Sequence, residues 1–227
     1  MILVILKLSM TNEFWLNCWK NNTIGFHEAS PNKQLINHFS SFEQLLDGQR
    51  LFLPLCGKTT DIQWLLSKGY HVIGCELSSI AVEALFQSLK FTPTIRTLDP
   101  FIEYSGPNIN IFCGDIFNLT SQLIGPIDGI YDRAALVALP ADTRKKYAHH
   151  LIDITHRSSQ FLITFTYDQT KMSGPPFSID ATDLNELYGT HYSFQHLSTN
   201  PVDPSLISAV SALEHVTLLI NNSRLSS

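Results

Sequence analysis

Residues 50–77, RLFLPLCGKTTDIQWLLSKGYHVIGCEL, constrain the fold of this chain more than any other stretch. The apolar run at 51–55 has the length of a strand that is buried on both faces. A tight turn at Gly57 follows, and then come apolar residues at helical spacing, with Thr60 and Gln63 in capping-box positions. A second apolar strand, 71–75, ends on Glu76. This order of elements is that of the first half of a nucleotide-binding α/β sheet: a strand, a glycine turn, a helix, a second strand and an acid.

Glu76 is the strongest functional candidate in this segment. It lies 19 residues after Gly57, at the predicted carboxyl end of the second strand, where Rossmann-like folds hold the ribose hydroxyls with an acid. A carboxylate accepts hydrogen bonds on both oxygens, so it can bind both hydroxyls of one ribose. The alternative is a solvated glutamate that caps the next helix beside Ser78. The preceding pattern favours the ribose.

The glycine turn lacks the features of a phosphate site. Dinucleotide-binding turns carry G-x-G-x-x-G, whereas here only Gly57 is present. A phosphate loop ending at Lys58 and Thr59 would need a glycine at position 52, which is Phe52. A nucleoside cofactor without phosphate fits better, and S-adenosylmethionine is the common one. An NAD-dependent oxidoreductase stays open as an alternative, because it would also explain Glu76.

Composition excludes several classes of protein. The chain has 227 residues, 44% of them hydrophobic, and a net charge of −5, and no basic stripe is present to neutralise nucleic-acid phosphates. Its four cysteines form no C-x-x-C pair, which indicates a reduced, cytoplasmic protein. The nine histidines are scattered, so we expect no metal site. Residues 1–9 are too short to span a membrane.

The N-terminal region divides into an extension and an aromatic segment. We expect residues 1–10 to be dispensable, with Met10 as an alternative start, and residues 11–227 to form a single domain. Trp15 and Trp19 are four residues apart and share a helix face, and Phe26 follows in a polar loop. These rings either attach a helix to the core or belong to a lid, at about 11–45, over a cationic sulfonium.

The remaining pattern alternates strands and helices. Further strands are expected at 109–113, 127–131, 160–167, 191–197 and 212–220, with helices at 31–49, 78–89, 142–154 and 180–188. Residues 91–108 contain three prolines and no sustained period, so we expect a loop with one short strand there. This order predicts one sheet in which parallel strands dominate.

Ligands of open α/β sheets bind beyond the carboxyl ends of the strands. The predicted strand ends carry Leu55, Glu76, Asp115 with Ile116, and Arg133. Asp115 either accepts a hydrogen bond from an adenine amine, with Ile116 against the ring, or serves as a turn residue after Gly114. Arg133 either meets a methionyl carboxylate or the acceptor, or forms a salt bridge to Asp132 or Asp128.

Six short motifs carry a resemblance to a known family. In order along residues 14–177 they are FW with a following W, IGFH, PLCGK, GCELS, DRAALVALP and GPPF. The chain resembles the thiopurine S-methyltransferases, the bacterial members most closely. The resemblance implies a class I methyltransferase with a seven-stranded, mostly parallel sheet, an antiparallel last strand and helices on both faces. It also implies S-adenosylmethionine contacts by Trp19, Leu55, Glu76, Ile116 and Arg133, and Phe26 beside the substrate.

The match thins after residue 188. Residues 200–211, NPVDPSLISAVS, have neither the tryptophan nor the arginine that family members often carry there, so acceptor specificity stays open.

The expected reaction is in-line transfer of the sulfonium methyl to a soft nucleophile. The acceptor would be an aromatic or heterocyclic thiolate, such as a thiopurine, or a selenium or tellurium species. A thiol that ionises near neutral pH needs no strong base, so no catalytic base is assigned, although Arg133 can lower the pKa of the acceptor. We expect a monomer that acts on small molecules. A non-catalytic module that only binds S-adenosylmethionine is a further alternative.

Overall fold

The computed structural model describes residues 11–202 and 211–223, and within these ranges nine strands form one sheet. The strands are β1 Arg50–Leu53, β2 His71–Glu76, β3 Thr94–Leu98, β4 Phe101–Gly106, β5 Ile109–Cys113, β6 Gly129–Asp132, β7 Gln160–Thr166, β8 Tyr192–Pro201 and β9 Leu213–Asn221. The helices are α1 Asn12–Lys20, α2 Lys33–Glu43, α3 Asp61–Ser67, α4 Ser79–Leu89, α5 Ser121–Ile124, α6 Ala141–Ile154 and α7 Ala181–Tyr188. The N-terminal extension, 1–10, and most of the divergent stretch at 200–211 lie outside the described residues.

The strand order is β3-β4-β5-β2-β1-β6-β7-β9-β8. Strands β5, β2, β1, β6 and β7 run parallel, and β9 pairs antiparallel with both β7 and β8. The predicted α/β class is therefore confirmed, including the antiparallel last strand. The sheet reverses its winding direction at β1, which lies between β2 and β6, and open α/β sheets bind ligands beside such a point.

The sheet has two more strands than the seven expected, because the segment predicted as a loop forms an antiparallel hairpin. β3 pairs with β4, and β4 pairs with β5 at one edge of the sheet. The three prolines do not interrupt this pairing: Pro93 precedes β3, while Pro100 and Pro107 lie in the connecting turns. These are the positions that a β-ladder tolerates.

Alternating burial along β1 explains the three layers of the molecule. Leu51 and Leu53 belong to a core with α2, α3 and α4, whereas Phe52 belongs to a second core with α6 and α7. Successive strand residues point to opposite faces, so an entirely apolar strand needs helices on both sides. In the part of the chain that the structure describes, none of the helices has both the length and the apolar character that crossing a membrane requires.

Local caps fix the elements around the turn after β1. Ser78 caps α4 as expected, because its Oγ accepts a hydrogen bond from the Ala81 amide at 3.4 Å. Gly69, with φ +90°, follows the end of α3. The capping box predicted at Thr60 is wrong, because the Thr60 hydroxyl donates to the Glu28 carbonyl instead. The turn therefore connects to the N-terminal region as well as to its own helix.

Candidate cofactor and acceptor site

A cavity of about 440 Å³ opens at the carboxyl ends of β1, β2, β5 and β6. This volume lies within the usual range for small-molecule sites. All eight residues that the sequence indicated as contacts of a cofactor or substrate line it: Trp19, Phe26, Leu55, Gly57, Glu76, Asp115, Ile116 and Arg133. Leu55, Glu76, Asp115, Ile116 and Arg133 were placed at predicted strand ends, Gly57 in the glycine turn, and Trp19 and Phe26 in the N-terminal region.

Glu76 connects the glycine turn to the start of α4. One carboxylate oxygen accepts a hydrogen bond from the Gly57 amide and the other accepts one from the Ser78 amide, both at 2.8 Å. The side chain is only 5% exposed, and burial raises the pKa of its carboxyl, while the bonds from Ser78 and Gly57 act in the opposite direction. Each oxygen keeps a second lone pair for a ligand. The contact with Ser78 and a ribose contact are therefore compatible.

Gly57 lies directly beneath the ring of Trp19. Its φ is +54°, and a Cβ at this position would lie 2.9 Å from a Trp19 ring carbon. Both the left-handed backbone and the close approach of the ring require glycine here. Trp19 is 8% exposed, and its ring packs edge-to-face on Phe26 with centroids 5.6 Å apart. The aromatic stripe of α1 thus faces the cavity and the turn after β1.

Arg133 is fixed by ion pairs that the sequence did not predict. Its Nε donates to Asp61 at 3.0 Å, its Nη1 donates to Glu28 at 3.1 Å, and its Nη2 donates to Thr59 at 3.3 Å. Burial acts to lower the pKa of this guanidinium, but Tyr131 and the two carboxylates hold it above its ordinary value. The guanidinium stays charged at every accessible pH.

The salt bridges predicted from Arg133 to Asp132 or Asp128 are wrong. Asp132 is fully buried and accepts a hydrogen bond from the Tyr147 hydroxyl at 2.7 Å, whereas Asp128 accepts one from the Arg50 amide at 2.8 Å. Side chains of consecutive extended residues point in opposite directions, which separates Asp132 from Arg133.

Asp115 makes the turn contact that was one of its two alternatives. Its Oδ1 accepts a hydrogen bond from the Phe117 amide at 3.0 Å, which starts a 3-10 turn, and its Oδ2 accepts one from the Asn12 side chain of α1 at 2.8 Å. The neighbouring Ile116 is buried and lines the cavity. The turn role is thus present, and the contact with an adenine amine stays a prediction.

Sequence reasoning missed several residues that line the cavity. The charged or titratable ones are Cys18, His27, Glu28, Cys56, Lys58, Asp61 and Tyr131. Burial, together with Lys58 and Arg133, lowers the pKa of His27, so its imidazole is neutral near pH 7. The IGFH and PLCGK motifs were the available signal for His27 and Lys58, but spacing along the chain gives none for the pairing of Glu28 or Asp61 with Arg133. The described residues contain no group of three or more His, Cys, Asp or Glu side chains that could hold a metal ion.

Solved structures with a similar fold define the class. A SAM-dependent methyltransferase from Anabaena variabilis has a TM-score of 0.63 at 16% identity and covers 92% of this chain and 95% of its own. A 1,6-didemethyltoxoflavin-N1-methyltransferase from Burkholderia thailandensis, solved with S-adenosylhomocysteine, has a TM-score of 0.63 at 13% identity and covers 93% and 88%. At such identities the likeness concerns the fold, which is that of the class I methyltransferases.

Sequence relatives define the particular family. The profile of the thiopurine S-methyltransferase family matches residues 10–220. The thiopurine S-methyltransferase of Xanthobacter autotrophicus is 46% identical over 92% of this chain and 99% of its own, and that of Gluconobacter oxydans is 45% identical over 89% and 92%. The chain belongs to the thiopurine S-methyltransferase family.

Proposed function

We propose that this protein transfers the methyl group of S-adenosylmethionine to the sulfur of aromatic and heterocyclic thiols, thiopurines among them, and to selenium or tellurium species. The observation that carries the proposal is the contact of Glu76 with Gly57 and of Gly57 with Trp19 in a cavity that is also lined by Arg133 and by several aromatic side chains. Family membership supports the choice of sulfur as the acceptor atom.

The residues at the strand ends fit the parts of this cofactor. Glu76 has two free lone pairs for the ribose hydroxyls, and Arg133 keeps two of its five N–H groups for a carboxylate after its three bonds to protein. The rings of Trp19 and Phe26 line the cavity, and the π face of an aromatic ring attracts a cation. When bound, S-adenosylmethionine supplies a methyl group activated by a positively charged sulfonium.

The start of α3 argues against a dinucleotide. In dinucleotide-binding folds the pyrophosphate sits at the N-terminus of the helix that follows the first strand. Here the first residue of that helix is Asp61, a buried carboxylate that lines the cavity, with Glu28 bound to the same arginine. These two carboxylates already neutralise the guanidinium, so they repel a pyrophosphate, with its two negative charges, more strongly than the single carboxylate of S-adenosylmethionine. A phosphate-free nucleoside is the better ligand.

The rest of the cavity suits a flat acceptor. Its surface there is formed by Phe14, Trp15, Phe26, Phe165, Pro175 and Pro176. Rings and prolines present flat apolar faces that exclude water, and these faces can hold an aromatic thiolate in line with the methyl group. Such positioning contributes up to about 7–11 kcal/mol in well-oriented reactions. Because an acidic thiol has already released its proton to solvent, no side chain is required as a base.

We further propose that the protein acts as a cytoplasmic monomer on small molecules and not on nucleic acid. Cys18, Cys56, Cys75 and Cys113 are free thiols, and the chain carries a net charge of −5. Reduced thiols fit the cytoplasm, and an acidic chain is a poor match for phosphates.

The direct experiment is a methyl-transfer assay with labelled S-adenosylmethionine and thiophenol, 6-mercaptopurine, selenite or tellurite as acceptor. We expect label in the methyl thioether of both thiols and none without enzyme. Selenite and tellurite are assayed with a thiol reductant, because volatile methylated products form only after the metalloid is reduced from the +4 state, and we expect label in those products. Cofactor binding without transfer to any acceptor would identify a binding module and contradict the proposed catalysis.

A further inference from the structure

Asp61 is the centre of a buried hydrogen-bond cluster beside the cavity. It is fully buried, and its Oδ1 accepts a hydrogen bond from the Asn32 amide at 2.7 Å. Its Oδ2 accepts bonds from the Thr59 hydroxyl at 2.8 Å, the Arg133 Nε at 3.0 Å and the Tyr131 hydroxyl at 3.1 Å. A buried carboxylate is stable only with such partners. Four donors therefore converge on one side chain: one from the N-cap of α2, one from the turn before α3, and two from the end of β6 and the residue that follows it.

The contacts of Arg133 fix the plane of its guanidinium. Asp61 accepts from Nε, Glu28 accepts from Nη1, and Thr59 accepts from Nη2 while donating to Asp61. A guanidinium carries five N–H groups in a rigid planar fork, so three fixed bonds leave one N–H on each terminal nitrogen. Because Arg133 lines the cavity, these two groups are the ones that a ligand can use.

We propose that Asp61 is a positioning residue for Arg133. Its carboxylate orients the guanidinium so that the two remaining N–H groups form a bidentate site for the carboxylate of the cofactor. This inference rests on the proposed function, since it takes the ligand of Arg133 to be the methionyl group of S-adenosylmethionine. Asp61 touches neither the reacting atoms nor the ligand in this account; it acts through Arg133.

The cluster also ties the N-terminal region to the sheet. Glu28 bonds Arg133 and accepts from the Asn32 side chain at 3.2 and 3.3 Å, while the Asn32 amide reaches Asp61. Asn32 is also the N-cap of α2, where its side chain accepts from the Gln34 amide. Asp61 thus connects the start of α2 to Arg133 at the end of β6.

The chain offers a matched control for this cluster. Asp132 is an equally buried carboxylate that accepts from the Tyr147 hydroxyl, just as Asp61 accepts from the Tyr131 hydroxyl. Neither Asp132 nor Tyr147 lines the cavity. The variants Tyr131→Phe and Tyr147→Phe each remove one hydroxyl and therefore one buried hydrogen bond. The first bond belongs to the cluster that holds the Arg133 side chain, and the second does not.

The experiment measures the dissociation constant of S-adenosylhomocysteine by calorimetry. We expect Asp61→Asn to weaken binding at least tenfold and Tyr131→Phe about two- to fivefold, while Tyr147→Phe binds like the wild type. In steady-state assays the KM for the cofactor should rise in the first two variants with little change in kcat, because a ground-state contact is lost. Equal binding by wild type and both cluster variants would overturn the inference.

A double-mutant cycle separates positioning from a general structural effect. Arg133→Lys keeps the positive charge but has no planar fork to orient. In that background we expect Asp61→Asn to change the affinity less than twofold. The same tenfold loss in both backgrounds would show that Asp61 does not act through Arg133. If Asp61→Asn does not fold, the cycle is run with Tyr131→Phe, whose smaller loss should vanish in the Arg133→Lys background.

The outcomes also separate this inference from the proposed function. A wild-type protein that fails to bind S-adenosylhomocysteine overturns both. A wild type that binds and transfers methyl groups, with cluster variants that bind equally well, overturns only the role of Asp61.

Discussion

Glu76 is the residue on which the cofactor assignment depends most. It is held by the backbone amides of two different segments, so its carboxylate has a fixed direction before any ligand arrives. Burial that raises the pKa of a carboxyl also strengthens its hydrogen bonds to a ligand, because water no longer competes for the oxygens. This is the arrangement expected of a ribose contact.

Replacing Glu76 by alanine should lower the affinity for S-adenosylmethionine ten- to a hundredfold. Hydrogen bonds to a charged group are worth about 1.5–3 kcal/mol, which corresponds to that range. Glu103→Ala is the control. Glu103 of β4 is also a buried carboxylate, but it accepts hydrogen bonds from Arg96 of β3 and Asn110 of β5. Calorimetry measures the affinity of both variants for S-adenosylmethionine. An unchanged affinity in Glu76→Ala would show that Glu76 caps α4 and does not bind the cofactor.

Asp132 makes stability depend on pH. Burial raises its pKa from the ordinary value of 3.8 to about 6, against the hydrogen bonds from Tyr147 and Leu136. Well below pH 3.8 the carboxyl is protonated in both the folded and the unfolded protein. Between pH 3.8 and pH 6 it is mostly ionised in the unfolded chain but mostly protonated in the folded protein. Rising pH therefore lowers the free energy of unfolding across this range. One pKa unit corresponds to about 1.4 kcal/mol.

The variant Asp132→Asn lacks this loss. Its free energy of unfolding, relative to the wild type, should therefore rise by about 2.4 kcal/mol between pH 4 and pH 7. Urea unfolding of both proteins at several pH values measures the difference, which cancels the titration of all other groups. A difference that is constant across this range would show that Asp132 is ionised in the folded protein.

At the residue scale, the local pattern indicated residues that line one cavity but not the hydrogen bonds among them. Glu76, Asp115 and Arg133 follow from the rule that strand ends carry ligand contacts, which needs only local pattern. The partners of Arg133 lie 72 and 105 positions away in the chain, at Asp61 and Glu28. Such contacts depend on how α3 and the segment before α2 pack on the sheet. The local pattern of a single sequence does not reveal that packing.

The elements were predicted where burial has a clear period. In α2 the buried side chains are Leu35, Phe39 and Phe42, whereas the equally apolar Ile36 is 46% exposed. Positions 35, 39 and 42 keep the spacing of one helix face, and position 36 lies to its side. The hairpin β3–β4 was missed for a different reason: β3 is an edge strand, exposed along most of its length, so it shows no apolar alternation.

Helix α1 should contribute to ligand binding more than to folding. Trp19 covers Gly57 and lines the cavity, whereas Trp64 of α3 packs on Phe39 of α2 with ring centroids 5.1 Å apart. We expect Trp19→Ala to weaken cofactor binding with a modest drop in the melting temperature of the ligand-free protein. Trp64→Ala should lower that temperature more, because it removes a core contact, and leave the affinity unchanged.

Melting curves of both variants with and without S-adenosylhomocysteine make this comparison. If Trp19→Ala unfolds the ligand-free protein, the aromatic stripe is ordinary core and α1 is not a lid.

At the scale of the whole molecule, the strand order determines where chemistry can occur. The reversal at β1 brings the ends of β1, β2, β5 and β6 around one cavity, and α1 with the following loop closes it from the N-terminal side. Residues from positions as distant as Asn12 and Pro176 meet there. The fold alone would also suit a dinucleotide, so the decision rests on the single-glycine turn and on Asp61 at the start of α3.

The most direct test of this account is the melting temperature of the wild-type protein with S-adenosylhomocysteine and, separately, with NAD. A ligand at a hundred times its dissociation constant adds about 2.7 kcal/mol to the free energy of unfolding. For a domain of this size that corresponds to a rise of about 5–10 °C. We predict this rise with S-adenosylhomocysteine and none with NAD; a rise with NAD alone would contradict the assignment of the cavity.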